Sequence, residues 1–518
     1  MSRLPAPRRW PSKVWHSRQK SIVPVYGADY PMKMAMSSVA VSEWRNNDGR
    51  FWALVSLTAI GSVCLGVLFS TSDPRYALVP AAMVLSMAIA FAARHPWLVL
   101  RIVLLGNSVA QPLFLLLGGS TIVGDVAMFP FNIAVGYGPP LLVAVSLIGN
   151  RRAWRDLARR EVAVSAVFVM LSLASLSYSP DISNGLKGLF QLTQPLAVYA
   201  VTLMVVKTDR EVDQFRRWMT ISAWLGILFG GMLVAIGRAS IFVGTAGSIL
   251  LPIPRMTIAL LATWYYLRAT AHGKRSDFIQ LLAFVSLTVL SGSRTVIAMW
   301  LAGMLVVMWH YSQRGRAILL PIALLVLLFA LPDEIGRIKN PGVGLESVSI
   351  GEVLAAPEEV FQVGTIYDRF NVWMVAGDQL LEAPIVGKGW GVEGVLLGSR
   401  AVVGGTQITH NSMLTVLVSV GLLGSLVFVV LHGFLVNAAI RAGRWAASAV
   451  WWECGVLALA FFAAYVVGAQ TANMFSVYLD AGTPVYMMLG CAAKAVLDGG
   501  HADTGERGAV RRRWHQIS

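Results

Sequence analysis

Thr365-Ile366-Tyr367-Asp368-Arg369-Phe370-Asn371-Val372-Trp373 opens the stretch that decides how this chain is read. Pro384-Ile385-Val386-Gly387-Lys388-Gly389-Trp390-Gly391 follows, then Thr409-His410-Asn411-Ser412, and Gly421-Leu422-Leu423-Gly424 closes it. Long apolar runs flank this stretch, so its polar, charged and hinge-forming residues belong to one long loop between two membrane spans. Most other loops in the chain are short. A long loop with ordered-looking pieces reads as functional.

Working outward, 56% of the 518 residues are hydrophobic, only 13% are charged, and the mean hydropathy is +0.64. A soluble surface needs about a quarter charged residues. Apolar runs of roughly twenty residues recur, the length of a bilayer-crossing helix. The fold class expected is an all-α polytopic membrane protein. Spans are expected near 51–69, 76–93, 97–117, 129–148, 162–178, 185–206, 218–236, 248–267, 275–291, 294–311, 316–331, 411–435, 451–472 and 475–497, about 14 transmembrane helices.

The net charge of +15 is tempting as a nucleic-acid signal, but its distribution reports topology. Most of the 42 Lys and Arg fall in the two tails and in alternate loops: Arg94, Arg151 to Arg160, Lys207 to Arg217, Arg268 to Arg275, Arg314 to Arg316 and Arg441 to Arg444. The intervening short loops are nearly free of them. Positive loops stay in the cytoplasm, so both termini are expected there. The organisation is then a flexible basic tail at 1–50, spans over 51–331, a periplasmic loop at 332–410, spans over 411–497 and a basic tail at 498–518. No signal peptide is expected. The basic balance fits anionic lipid and no nucleic acid. Cys64, Cys454 and Cys491 lie in apolar runs without metal spacing and read as small core residues.

Ionisable side chains at membrane depth are functional suspects. Arg101 and Lys494 lie near cytoplasmic ends and can snorkel. Lys187 lies at an outer end. Arg255 sits about two turns below the outer face of its span, and Arg294 sits in Ser291-Gly292-Ser293-Arg294 at an outer hinge. Their bland reading is a buried salt bridge, for instance to Asp480 near the outer end of the last span. Their functional reading is an anion site, because two guanidinium groups can hold a diphosphate by bidentate hydrogen bonds.

Asp368 reads as the N-cap of a short interfacial helix whose apolar stripe is Phe370, Trp373, Gly377 and Leu381. Arg369 borders that stripe. His410 precedes Asn411 at the start of a span, where the positive helix end should keep the imidazole neutral, as a general base requires. Gly387, Gly389 and Gly391 permit tight turns close to a ligand, without the pattern of a nucleotide phosphate loop. No cofactor is expected. No Asp-x-Asp pair or His/carboxylate cluster points to a metal.

The ordered set Ser293-Arg294, Arg369 with Trp373, Pro384 with Gly387-x-Gly389-x-Gly391, His410-Asn411 and Gly421-Leu422-Leu423-Gly424 resembles the O-antigen ligase and polymerase superfamily of bacterial envelope enzymes. The resemblance runs through roughly residues 245–435. It implies a metal-independent, inverting glycosyltransferase of the C-type architecture, acting on glycans carried by a polyprenyl diphosphate at the outer face of the inner membrane. By that resemblance Arg255, Arg294 and Arg369 would bind the diphosphate, and His410 would activate or orient the acceptor hydroxyl. Asn411, Asp480, Lys187 and Trp373 would be auxiliary. The implied partners are a lipid-linked glycan, a glycan or lipid acceptor, membrane lipid and other polysaccharide export proteins. A span count above the usual twelve of the ligases favours polymerisation. The competing reading is a polysaccharide or lipid-linked oligosaccharide transporter, which predicts charged residues at mid-membrane on several spans.

Overall fold

A computed structural model describes residues 96–116, 143, 157–237, 239–240, 249–250, 253–291, 293–311, 364–392, 411–445, 448–470 and 482–499. The expected spans 51–69, 76–93, 129–148 and 316–331 lie outside the described residues, apart from residue 143. So do the tail at 1–50, the tail at 498–518 from residue 500 on, and most of the 332–410 loop. Among the described residues there are eleven α-helices: α1 (Pro96–Leu116), α2 (Arg160–Ser175), α3 (Ile182–Val205), α4 (Asp209–Ala235), α5 (Arg255–His272), α6 (Arg275–Leu290), α7 (Arg294–Tyr311), α8 (Gly364–Glu382), α9 (Ser412–Trp445), α10 (Ala449–Ala469) and α11 (Gly482–Gly499). A 3-10 turn, Leu176–Tyr178, extends α2. A two-residue parallel pair, Ala239–Ser240 with Ile249–Leu250, joins α4 to the approach of α5.

Among the described residues, four stretches are long and apolar enough to cross a membrane: Arg160–Tyr178, Asp209–Ala235, Ser412–Arg444 and Ala449–Ala469. Helix α10 is the axis of the fold. It packs against α7, α9 and α11 and touches α5. Its residues Leu457, Ala458, Ala460, Phe461, Ala464 and Tyr465 are wholly buried. Small residues set the spacing. A side chain at Gly455 would run into the backbone of Gly443 on α9, and one at Gly303 on α7 would meet Thr263 on α5 and the Ala460 carbonyl. Small residues let membrane helices approach this closely.

Several expected boundaries move. Helix α4 begins at Asp209, well before the expected 218, because Thr208 and Glu211 form a reciprocal capping box. The polar segment read as loop is therefore its first turns. Helix α9 runs on to Trp445, so Arg441 and Arg444 are helical. Helix α5 begins at Arg255, not near 248. Pro252 and Pro254 disfavour helix before them, and Ile249–Leu250 pairs as strand instead. Arg255 is thus the first helical residue and does not lie two turns into a span. Helix α8 starts at Gly364, so Asp368 lies inside it and is not at its N-cap position. The side of α8 that packs on α9 carries Ala376 and Leu380, against Leu414 and Val418, and Val372, one turn before Ala376, is buried as well. Leu381, expected in the stripe that faces the membrane, is not covered by protein.

At one end of the bundle, charges pair across helices. Arg268 Nε lies 3.4 Å from Asp277 Oδ2, Arg268 Nη1 lies 3.5 Å from Glu453 Oε2, and His272 Nε2 lies 2.6 Å from Glu453 Oε1. Arg216 and Arg217 both hold Asp213, and Ser448 donates to Asp209. These ties join the segments read as positive loops of one side.

Candidate functional site

The helix starts at the opposite end can be placed by following contacts along the axes. Helix α6 runs back along α5, because Arg268 pairs with Asp277 and Tyr265 stacks on Phe284 at 5.8 Å. Leu290 therefore ends beside the start of α5, and α7 begins four residues later at Arg294. Thr263, Gly303 and Ala460 meet at one level. From that level Arg255 is eight residues up α5, about 12 Å, and Arg294 is nine residues up α7, about 14 Å. Gln470 is ten residues up α10, about 15 Å. The starts of α5 and α7 and the end of α10 thus share one layer.

Helix α9 reaches that layer only because it is broken. Gly421 has φ 65° and ψ −169° inside the helix, a conformation open essentially to glycine. His432 stacks with Phe462 at 5.5 Å. A straight helix would carry Asn411 about 31 Å beyond His432, while Gln470 is only about 12 Å beyond Phe462. Yet Asn411 Nδ2 lies 3.5 Å from Gln470 Oε1. The break turns the first nine residues of α9 back over the end of the bundle.

The glycine-rich turn fills the break. In an unbroken helix the Leu422 amide would bond the Val418 carbonyl and the Leu423 amide the Ser419 carbonyl. Here Leu422 N donates to Pro384 O at 2.8 Å and Leu423 N to Ile385 O at 3.1 Å. The carbonyls left over are taken by the turn: Lys388 N donates to Val418 O at 2.8 Å and Gly389 N to Ser419 O at 2.9 Å. Two helix bonds are replaced by four across the break, each contributing about 1 kcal/mol. The same turn is tied to the α2–α3 connection. Tyr178 Oη donates to Val386 O at 2.8 Å, and Ser179 Oγ donates to the Trp390 carbonyl. Trp390 is buried against Gly185 and Gly188. The three glycines therefore allow close approach to the chain's own backbone: a side chain at Gly389 would strike Ser175 and Ser179, and one at Gly391 would strike Asp181 and Gly185. The amides of Gly387 and Gly389 bond the carbonyls of Ala383 and Ser419. Lys388 Nζ pairs with Glu382 at 2.5 Å.

Asn411 is the N-cap of α9. Its Oδ1 accepts from Met413 N and Leu414 N, both at 3.1 Å. Arg255 is half-buried at the first position of α5, and Arg294 is the first residue of α7. Arg369 lies in the second turn of α8, and Trp373 is half-buried one turn on. Lys187 lies in the second turn of α3, beside the Gly185–Trp390 contact. The side chains of Lys187, Arg294 and Arg369, and all of His410 and Asp480, lie outside the described residues.

Helices α3, α5, α7 and α9 all present their N-termini to this end. Helix starts carry positive partial charge, and a cation at the first residue adds to it. Arg255 and Arg294 therefore sit where a bound polyanion is favoured and where a metal cation is not. Sequence reasoning singled out Gly421-Leu422-Leu423-Gly424 as a motif but missed the break at Gly421, and it missed Tyr178, Ser179 and Gln470.

Residues 279–429 match the family model for O-antigen ligase. The match supports the O-antigen ligase and polymerase superfamily that the order of motifs resembles. It takes in Arg294, Arg369, His410 and Gly421, and it leaves Arg255 outside. None of the curated proteins matches the chain. The apolar helices mark a multi-pass membrane protein, and the match over residues 279–429 points to a glycosyltransferase-like activity.

Proposed function

We propose, with the O-antigen ligase domain at residues 279–429 as premise, that this protein moves a glycan from a polyprenyl diphosphate to an acceptor hydroxyl, with polymerisation favoured over ligation. The observation that carries the reading is the single layer formed by the starts of α5 and α7, which bear Arg255 and Arg294, and the folded-back start of α9, next to His410.

The chemistry follows from those residue types. A diphosphate is already a good leaving group, so the main demand is positive charge where its negative charge develops. Arg294, Arg369 and Arg255 supply it. His410 accepts the proton of the incoming hydroxyl. The hydroxyl oxygen attacks the anomeric carbon in line as its bond to the diphosphate breaks, giving inversion without a metal ion. Trp373, Lys187, Asn411 and Asp480 border the site. The 332–410 loop and the site face the periplasm of a bacterial inner membrane, both termini are cytoplasmic, and the polyprenyl tail lies along the apolar spans.

In cells that need the protein for polymer, His410→Ala and Arg294→Ala are each expected to abolish polymer while the protein stays in the membrane. Normal polymer in either variant removes the site assignment.

A further inference from the structure

We propose that Gly421 is a positioning residue: the break it permits in α9, held open by Pro384 to Gly389, sets the start of α9 in the layer of Arg255 and Arg294. The catalytic arm of this inference rests on the function proposed above; the structural arm does not.

The exchange of bonds is reciprocal. Each amide and carbonyl that the break takes from the helix ladder at 418, 419, 422 and 423 is bonded by one group of the turn. With the turn withdrawn, the two helix bonds are the nearest alternative partners for the same four groups. The turn docked with α9 broken, and the turn released with α9 continuous, are therefore two states of one element. Straightening α9 carries Asn411 about 19 Å beyond Gln470 along the axis. It also frees α8, which packs on Leu414 and Val418 of the displaced piece and carries Arg369. Docking of the turn thus sets His410's neighbour and the Arg369 helix together.

Three effects of an alanine at 421 act in one direction. Its Cβ would lie 2.3 Å from Ile385 O and 2.5 Å from Gly387 N. The broken conformation is closed to it. Alanine also favours the continuous helix. A valine at Gly387 reaches the same end from the loop side, since its Cβ would lie 2.5 Å from Gly421 N. It does so without changing the helix propensity of α9.

The test is hydrogen exchange on full-length protein in lipid nanodiscs, followed on peptides covering 384–391 and 418–424, together with binding and turnover of a polyprenyl diphosphate-linked glycan. In Gly421→Ala the 384–391 amides are expected to exchange at least about tenfold faster, a loss of roughly one decade in the docking equilibrium. In Gly387→Val the 418–424 segment should change with it. Donor binding keeps Arg255 and Arg294 on the α5 and α7 starts but loses Arg369 on the freed α8, so it should weaken by less than about tenfold, while kcat falls about a hundredfold, the size expected when a reacting group is displaced. Unchanged exchange in the partner segment for both variants overturns the latch. Equal loss of binding and turnover overturns the positioning role. A wild-type protein that transfers no glycan overturns the proposed function and leaves the exchange result to decide the latch.

Discussion

Arg268 offers the sharpest energetic test of the described end of the bundle that carries paired charges. Its guanidinium faces two carboxylates, Asp277 at 3.4 Å and Glu453 at 3.5 Å, whose side chains are 7% and 6% exposed. Arg268→Met leaves both acids buried without it. Removing one partner of a buried ionic cluster destabilises by about 3–5 kcal/mol. Here His272 still holds Glu453 at 2.6 Å, and the cluster borders a cavity of ≈ 20 Å³, room for one water, so the lower end, about 3 kcal/mol, is expected. The triple change Arg268→Met, Asp277→Leu, Glu453→Met removes every stranded charge of the trio and should return to within about 1 kcal/mol of the parent. Unfolding in mixed micelles, followed by tryptophan fluorescence, reads both. Arg268 is thirteen residues from Arg255 along α5, about 20 Å, so folded Arg268→Met protein should transfer glycan at the parent rate. A single variant as stable as the parent, or a triple variant as unstable as the single one, refutes this reasoning.

Two further outcomes are expected. A cysteine placed at Ser347 should react with an impermeant maleimide in intact cells, and reaction only after lysis would reverse the topology. Gly391→Ala should loosen the turn from the α2–α3 connection, because its Cβ would lie 2.2 Å from Asp181 O at a φ of 97°. Proteolysis in nanodiscs should then cut near residues 384–391 at least about tenfold faster than in the parent, as a destabilised local opening predicts, and an unchanged rate would remove the packing argument.

Hydropathy located the helices well where an apolar run alone defines them: α1, α2, α6, α7 and α10 begin and end within a few residues of expectation. It failed where local chemistry or tertiary contact sets the boundary. The Thr208–Glu211 box extends α4 into a charged segment, and Pro252 with Pro254 holds back α5. The face of α8 that meets protein was not read at all, because it is selected by a distant partner surface, Leu414 and Val418, which takes Ala376 and Leu380. Arg255, Arg294 and Asn411 were legible as candidates because charge and amide groups at membrane depth or at a helix start are rare. The break at Gly421 was not legible. An isolated glycine in an apolar run looks the same whether it sits in a straight helix or at a break, and only the partner turn 384–389, more than thirty residues earlier, distinguishes the two.

The most direct test is to incubate purified protein in nanodiscs with a polyprenyl diphosphate-linked repeat unit and a second acceptor, in excess chelator. The account predicts one polyprenyl diphosphate released for every new glycosidic bond, at a rate unaffected by the chelator, and longer glycans on the lipid if the protein polymerises. Intact lipid-linked glycan moved across the bilayer with no bond broken, or transfer abolished by the chelator, would contradict it.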